Sequence, residues 1–288
     1  QNASISVLKA GLLYQFDEPR AALIHIERAL ASQPDYVPYI TLKADILRKI
    51  EPAQTVVNYV SQARLRNPDS KSLYLYEIRY LLDLKQSVSA WELLLAAHER
   101  FTEDPEITLL AALVSLDIQK YSSSDQLLNT LAKSPTYLDQ AYYYLGISAE
   151  RQQRFEQAKS YLKSVIQEDL VLAARKKVVE LELLADNSEA AIATLRNLRE
   201  DFEVFAPDAF VLQADILWQQ GKADEALELL SRASRKHPNS EAILFARVQL
   251  LDDRNDYVEV GAIHNEQGYR RVRESLAEQY NLSIQEPN

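Results

Sequence analysis

Histidines, carboxylate pairs and a glycine next to a serine are the places where this 288-residue chain could hold a metal, move a proton or expose a nucleophile. The four histidines, His25, His98, His237 and His264, stand far apart. None forms the H-x-x-x-H or H-E-x-x-H spacing that sets two imidazoles on one helix face around a zinc ion. His25 and His98 have charged neighbours and read as solvated or helix-end histidines. Asp252 with Asp253, and Glu180 with Glu182, could serve as acid and base. In a chain with 42 acidic and 32 basic residues they read instead as solvated charge. Gly146, Ile147 and Ser148 lie inside a predicted helix, and the five glycines form no loop able to cradle a phosphate. There is no cysteine, which removes thiolate ligands, disulfides and cysteine nucleophiles. The expectation is a chain that is no enzyme and carries no catalytic residue, no metal site and no cofactor.

The composition says what must position any working residue. At 47% hydrophobic and 26% charged the chain can bury a real core, while five Gly and ten Pro leave little punctuation for a sheet fold. Helices are therefore expected. A net charge of -10 opposes nucleic acid and anionic membrane surfaces as partners. No run approaches the roughly 18 apolar residues that span a bilayer, so no membrane insertion by this segment is expected. The chain starts at Gln1 and holds no Met, as expected of a processed or excised piece.

Self-comparison uncovers a period of 34 residues. Stepping from Ala22 gives Val56, Ala90, Ser124, Ala158, Ile192 and Ala226, all small or β-branched. Seven residues later the series reads Ala29, Ala63, Ala97, Leu131, Val165, Arg199 and Ala233. A slip of one residue in the sixth unit, to Ala191, Leu195 and Leu198, removes the exception at Arg199. A third series, Ala10, Ala44, Ile78, Ala112, Gly146, Glu180 and Ala214, marks where the two helices of a unit approach, and the same slip replaces Glu180 by Val179. Pro34, Pro68 and Pro238 fall in one phase, with Pro105, Pro135 and Pro207 near it, and are expected to start the next helix. Apolar residues at helical spacing, such as Leu23, Ile26 and Leu30, predict two helices of about a dozen residues per unit.

The units resemble the tetratricopeptide repeat family. The resemblance is clearest in DQAYYYLGISAERQQRFEQAKSYLKSVI, with Tyr142, Leu145, Gly146, Phe155 and Ala158, and in DAFVLQADILWQQGKADEALELLSRASRKHP. It implies an all-α, right-handed superhelical solenoid of about seven helix-turn-helix repeats plus a C-terminal helical segment. Residues 1–252 would be the array, with the start of an eighth unit, and residues 253–288 a capping segment. It also implies that first helices line a concave groove for a protein or peptide. The residues expected there are Tyr39, Asp45, Arg48, Tyr76, Arg79, Tyr143, Tyr144, Arg151, Lys176, Lys177, Asp215 and Trp218. Tyr, Trp and Arg are common interface anchors. The family's carboxylate clamp for chaperone C-termini is not matched, since Ile147, Asp215 and Gln219 stand where Asn or Lys is needed.

The run AIHNEQGYRRVRESLAEQYN, followed by EPN, resembles a stretch of the bacterial SpoVR family. The array as a whole is similar to multi-repeat bacterial lipoproteins that bring a protease to cell-wall hydrolases. The expectation is a protein-interaction scaffold on the periplasmic side of a Gram-negative envelope. The alternative is a regulatory or targeting module of a larger protein.

Overall fold

The computed structural model describes residues 3–253, and its regular structure is entirely helical. Seven helix pairs follow one another: α1 (Ala3–Gln15) with α2 (Pro19–Ser32), α3 (Val37–Leu47) with α4 (Ala53–Arg66), α5 (Lys71–Asp83) with α6 (Ser87–Arg100), and α7 (Pro105–Asp117) with α8 (Tyr121–Leu131). Then come α9 (Leu138–Arg151) with α10 (Phe155–Lys163), α11 (Glu168–Leu184) with α12 (Ser188–Asp201), and α13 (Ala206–Gln219) with α14 (Ala223–Lys236), before a last helix α15 (Glu241–Asp253). The chain forms two compact units, Gln1–Ser148 and Ala149–Asn288. Each is a stack of helix-turn-helix pairs, so the fold is an all-α solenoid.

The 34-residue period is a packing period. Ala22, Val56, Ala90, Ser124, Ala158, Ala191 and Ala226 are all buried on second helices, and Ala10, Ala44, Ile78, Ala112, Val179 and Ala214 are buried on the first helices. The slip in the sixth unit is real: α12 begins 33 residues after α10, and α14 begins 35 after α12. The extra residue is absorbed by a 3-10 turn, Glu203–Phe205, ahead of α13.

Turns within pairs repeat as well. In six of the seven pairs the chain leaves the first helix through a residue at positive φ: Asp17 (62°), Lys85 (58°), Gln119 (62°), Gln153 (60°), Asp186 (56°) and Gly221 (74°). After each, the next N–H bonds back to a carbonyl five residues earlier, as in Glu18 to Leu13 at 2.8 Å and Lys222 to Leu217 at 2.9 Å. This is the 6→1 closure of a left-handed helix cap. Five of these six caps use a residue with a Cβ, where glycine is the unstrained choice.

The prolines need one correction. Pro105 and Pro207 do occupy the first turn of α7 and α13. Pro34, Pro68 and Pro238 instead stand in the turn, three residues before their helices begin. Their fixed φ ends the second helix rather than starting the next first helix. The segment with SpoVR-like residues, 254–288, lies outside the described residues.

Candidate functional site

In the unit Gln1–Ser148 the first helices carry a ladder of charged and phenolic groups. Tyr76 Oη on α5 donates to Asp45 Oδ1 on α3 at 2.6 Å. Desolvation raises the phenol pKa well above its usual value, and the bond to Asp45 adds to the rise. Arg48, just past α3, pairs with Asp83 at 2.8 Å and lies 4.6 Å from the ring centre of Tyr80. Desolvation opposes its charge most strongly, but Asp83 and Tyr76 together outweigh it and raise the pKa of the guanidinium. Exposed Arg79 stands 3.9 Å from Glu106 of α7, which also receives Lys71 at 2.8 Å. Lys71 reaches Asp104 too, at 2.5 Å. Asp104 caps α7 by accepting from the N–H groups of Glu106 and Ile107. Although desolvation pushes the other way, Lys71 and those N–H groups hold its carboxyl below the usual carboxylate range.

Sequence reasoning therefore named four members of this ladder, Asp45, Arg48, Tyr76 and Arg79, and missed Lys71, Tyr80, Asp83, Asp104 and Glu106. A signal existed: Arg48 with Asp83, and Lys71 with Glu106, are both pairs 35 residues apart, one period plus one. Tyr39 makes an edge contact with Tyr36 at 4.6 Å and packs on the core shared by α1, α2 and α3. Half-buried Tyr143 and Tyr144 meet edge to face at 5.3 Å.

The unit Ala149–Asn288 places the remaining residues. Arg151 is exposed in the last turn of α9. Lys177 bonds Glu180 at 3.0 Å and Glu150 at 3.3 Å, and the Glu180 bond chiefly raises its pKa. Asp215 lies on α13 open to solvent on one side, yet desolvation on the other raises its carboxyl. Trp218 is half-buried against the core that α13, α14 and α15 share. Its ring belongs to packing as much as to any surface.

Lys176 stands apart from these. It lines an open cleft of about 550 Å³ with Glu168, Asp169, Leu172 and Ala173 of α11 and Phe205 of the 3-10 turn. Leu172, Ala173, Lys176 and Phe205 are half-buried, and Glu168 and Asp169 are exposed. Among the described residues the Lys176 ammonium pairs with Asp208 alone, at 4.0 Å. The cleft residues recur along α11 at three- and four-residue steps, so they share one helix face. Glu168, Asp169, Leu172, Ala173 and Phe205 escaped sequence reasoning. The visible trace of Phe205 was the extra residue that brings α14 back into phase.

The histidines that the structure describes do not converge. His98 Nδ1 lies 3.1 Å from Thr108 Oγ1, and His237 caps α14 beside Phe210. Among the described residues no group of three or more His, Cys, Asp or Glu could hold a metal ion. No described helix is long and apolar enough to cross a membrane.

Comparison with known proteins agrees with this architecture. Residues 140–169 and 207–250 match the tetratricopeptide repeat family. A tetratricopeptide repeat protein from Parabacteroides merdae ATCC 43184 superimposes with a TM-score of 0.51 at 13% identity, over 86% of this chain and 98% of that one. At this identity the likeness shows the fold alone. Pseudomonas aeruginosa pilF gives a TM-score of 0.46 at 14% identity, over 70% of this chain and 92% of its own. A stretch of 39 residues is 62% identical to the uncharacterized protein YcgB of Escherichia coli K12, covering 14% of this chain and 8% of that protein. Both family matches fall in phase with the helix pairs, so residues 140–169 and 207–250 are tetratricopeptide repeats within an all-α solenoid, a fold suited to binding a protein or peptide.

Proposed function

We propose that this chain holds an extended segment of a partner protein in the cleft of α11. The observation that carries the reading is the combination in one open cleft of an apolar patch, Leu172, Ala173 and Phe205, with carboxylates at one end and Lys176 at the other. From Asp169 to Lys176 the helix rises about 10 Å, the reach of about three residues of extended chain. The matching ligand carries a basic residue over Glu168 and Asp169, an apolar anchor over Leu172 and Phe205, and an acidic residue at Lys176.

The test is selection of random peptides displayed on phage against the full chain. Peptides with basic, apolar and acidic residues in that order should be enriched. Lys176→Glu together with Phe205→Ala should weaken the selected peptide about 30-fold, as loss of an interface anchor does. Peptides without that order, or binding unchanged in the double variant, would move the site off α11. Arg151, Lys177, Asp215 and Trp218 extend the proposed surface along their own first helices.

The finer reading sets this scaffold on the periplasmic side of a bacterial envelope, where it presents a protease or cell-wall hydrolase. Its support is the likeness of units such as LWQQGKADEALELLSRA to multi-repeat envelope lipoproteins. Capture from fractionated envelope extract tests it: such an enzyme should be retained by the native chain and lost with Lys176→Glu. A cytoplasmic partner set would favour the alternative, a targeting module of a larger protein.

A further inference from the structure

The first helix carries an interface that nothing among the described residues fills. Ile5, Leu8 and Leu12 lie on one face of α1 and are 54%, 68% and 54% exposed. The opposite face is in use, with Val7, Ala10, Leu13 and Tyr14 packed onto α2. A bare apolar stripe by itself would say little. Here the repeat shows what belongs on it, because the same three positions recur in the later first helices.

In α3 those positions are Tyr39, Leu42 and Ile46, packed in the core that contains Ala22, Ile26 and Ala29 of α2. In α13 they are Ala209, Leu212 and Ile216, packed with Ala191, Leu195 and Leu198 of α12. In α15 they are Ile243, Ala246 and Leu250, packed with Ala226, Leu230 and Ala233 of α14. The last position drops from 54% exposed at Leu12 to 0%, 4% and 5% at Ile46, Ile216 and Leu250. Each covering helix is the second helix of the preceding pair. It offers a small residue at i, an aliphatic residue at i+4, and Ala or Leu at i+7, so that the two helices approach closely.

We propose that the Ile5, Leu8 and Leu12 face of α1 is a docking site for an amphipathic helix carrying that small–aliphatic–small pattern. The occupant continues the inter-pair interface of the array and leaves the cleft of α11 untouched. The proposal therefore stands apart from the peptide-binding reading.

A capped, fluorescently labelled peptide of residues 222–237, KADEALELLSRASRKH, is a suitable probe. It carries the α14 triplet, with acidic residues in its first turn and basic residues in its last. Saturable binding to the full chain is expected. Leu8→Glu in the chain, or Leu230→Asp in the peptide, should weaken it about tenfold or more, because each puts a charge into the apolar contact. Circular dichroism should show unchanged helicity in the Leu8→Glu chain. A second measurement does not depend on the free peptide being helical. A copy of residues 206–239 joined ahead of Ala3 should raise the melting temperature, and Leu8→Glu should cancel the rise. Either positive result, cancelled by Leu8→Glu, supports the proposal. Failure of both overturns it. A concentration-dependent dimer of the unmodified chain that Leu8→Glu abolishes also overturns it, in favour of a second copy of this chain.

Discussion

The first-helix faces of the two units solve the same packing problem with different chemistry. In residues 1–148 the polar groups on α3, α5 and α7 are spent on one another: Tyr76 on Asp45, Arg48 on Asp83, Lys71 on Glu106. In the second unit α11 presents an apolar patch, and Lys176 lies no closer than 4.0 Å to Asp208. Exposed ion pairs contribute little to stability, so the ladder's main effect is to leave few unpaired groups for a ligand to recognise. The cleft leaves such groups available. A repeat fold can thus keep its period in the core while assigning rigidity to one stretch and recognition to another.

Both units also bury a carboxylate between a second helix and the next first helix, and these sites give the largest expected effects. Glu77 accepts from Ser61 and from Arg64 Nε at 2.6 Å, and Glu182 from Lys159 at 3.0 Å and Lys163 at 3.4 Å. Glu182→Ala leaves the buried Lys159 to the exposed Glu156, 2.7 Å away, and should cost about 3 kcal/mol in urea unfolding, the low end for a broken buried pair. Glu77→Ala should cost about as much. The pair Lys159→Met with Glu182→Leu should recover most of the loss, because a buried ion pair can be replaced by apolar contact at little cost. A much smaller loss for Glu182→Ala than for Glu77→Ala would show that the second unit is the looser one.

The next test separates the two faces directly. Tyr76→Phe removes the donor to Asp45 and should cost about 1.5 kcal/mol, while leaving peptide capture unchanged. Lys176→Glu should do the opposite, sparing urea stability and weakening capture. If Tyr76→Phe weakened capture as strongly as Lys176→Glu, the contrast between ladder and cleft would collapse.

Much of the core was legible because it repeats. Small residues at Ala22, Ala29 and Ala10, carried forward by 34, named the buried seams, and the misfit at Arg199 and Glu180 exposed the slip. Polar partnerships were half legible. The sequence places Asp45 and Tyr76 on first helices, but which ring bonds which carboxylate depends on the spacing between neighbouring helices. Aromatic roles were the least legible. Tyr76 and Tyr80 stand four residues apart on one face of α5, yet Tyr80 is buried and Tyr76 half-buried, so periodicity alone cannot sort them. Phe205 hides in an irregular turn outside the period. The left-handed caps also left no trace, since five of the six are not glycine.

Those caps supply a smaller prediction. Gln119 and Gln153 hold the same conformation as Gly221, one in each unit. A left-handed residue with a Cβ costs about 1–2 kcal/mol, and glycine's freedom in the unfolded chain returns part of that cost. Gln119→Gly and Gln153→Gly should each stabilise by roughly 0.5–1 kcal/mol. Equal gains would show that the cap is the same structural element in both units. A gain at only one would mark the other turn as already relaxed.

The smallest expected effects come from two carboxyls whose pKa values move in opposite directions. Asp104 sits below the usual range, so the folded chain binds its proton less readily than the unfolded chain. Its contribution is present above about pH 4 and is lost as pH falls through the lowered folded value. Asp104→Asn keeps an acceptor for the α7 cap and removes only the charge, so it should flatten the acid limb of stability against pH. Asp215 sits above the usual range through desolvation. Its contribution is present below about pH 4 and is lost as pH rises through the raised folded value, so at neutral pH the ionised group weakens the fold. Asp215→Asn should therefore stabilise the chain at pH 7, by about 0.3 kcal/mol once solvent screening is allowed for. The gain should vanish in acid, where both side chains are neutral. If Asp215→Asn weakened the fold at pH 7 and also impaired peptide capture, Asp215 would instead be a charged contact of the binding face, and the recognition surface would extend from α11 onto α13.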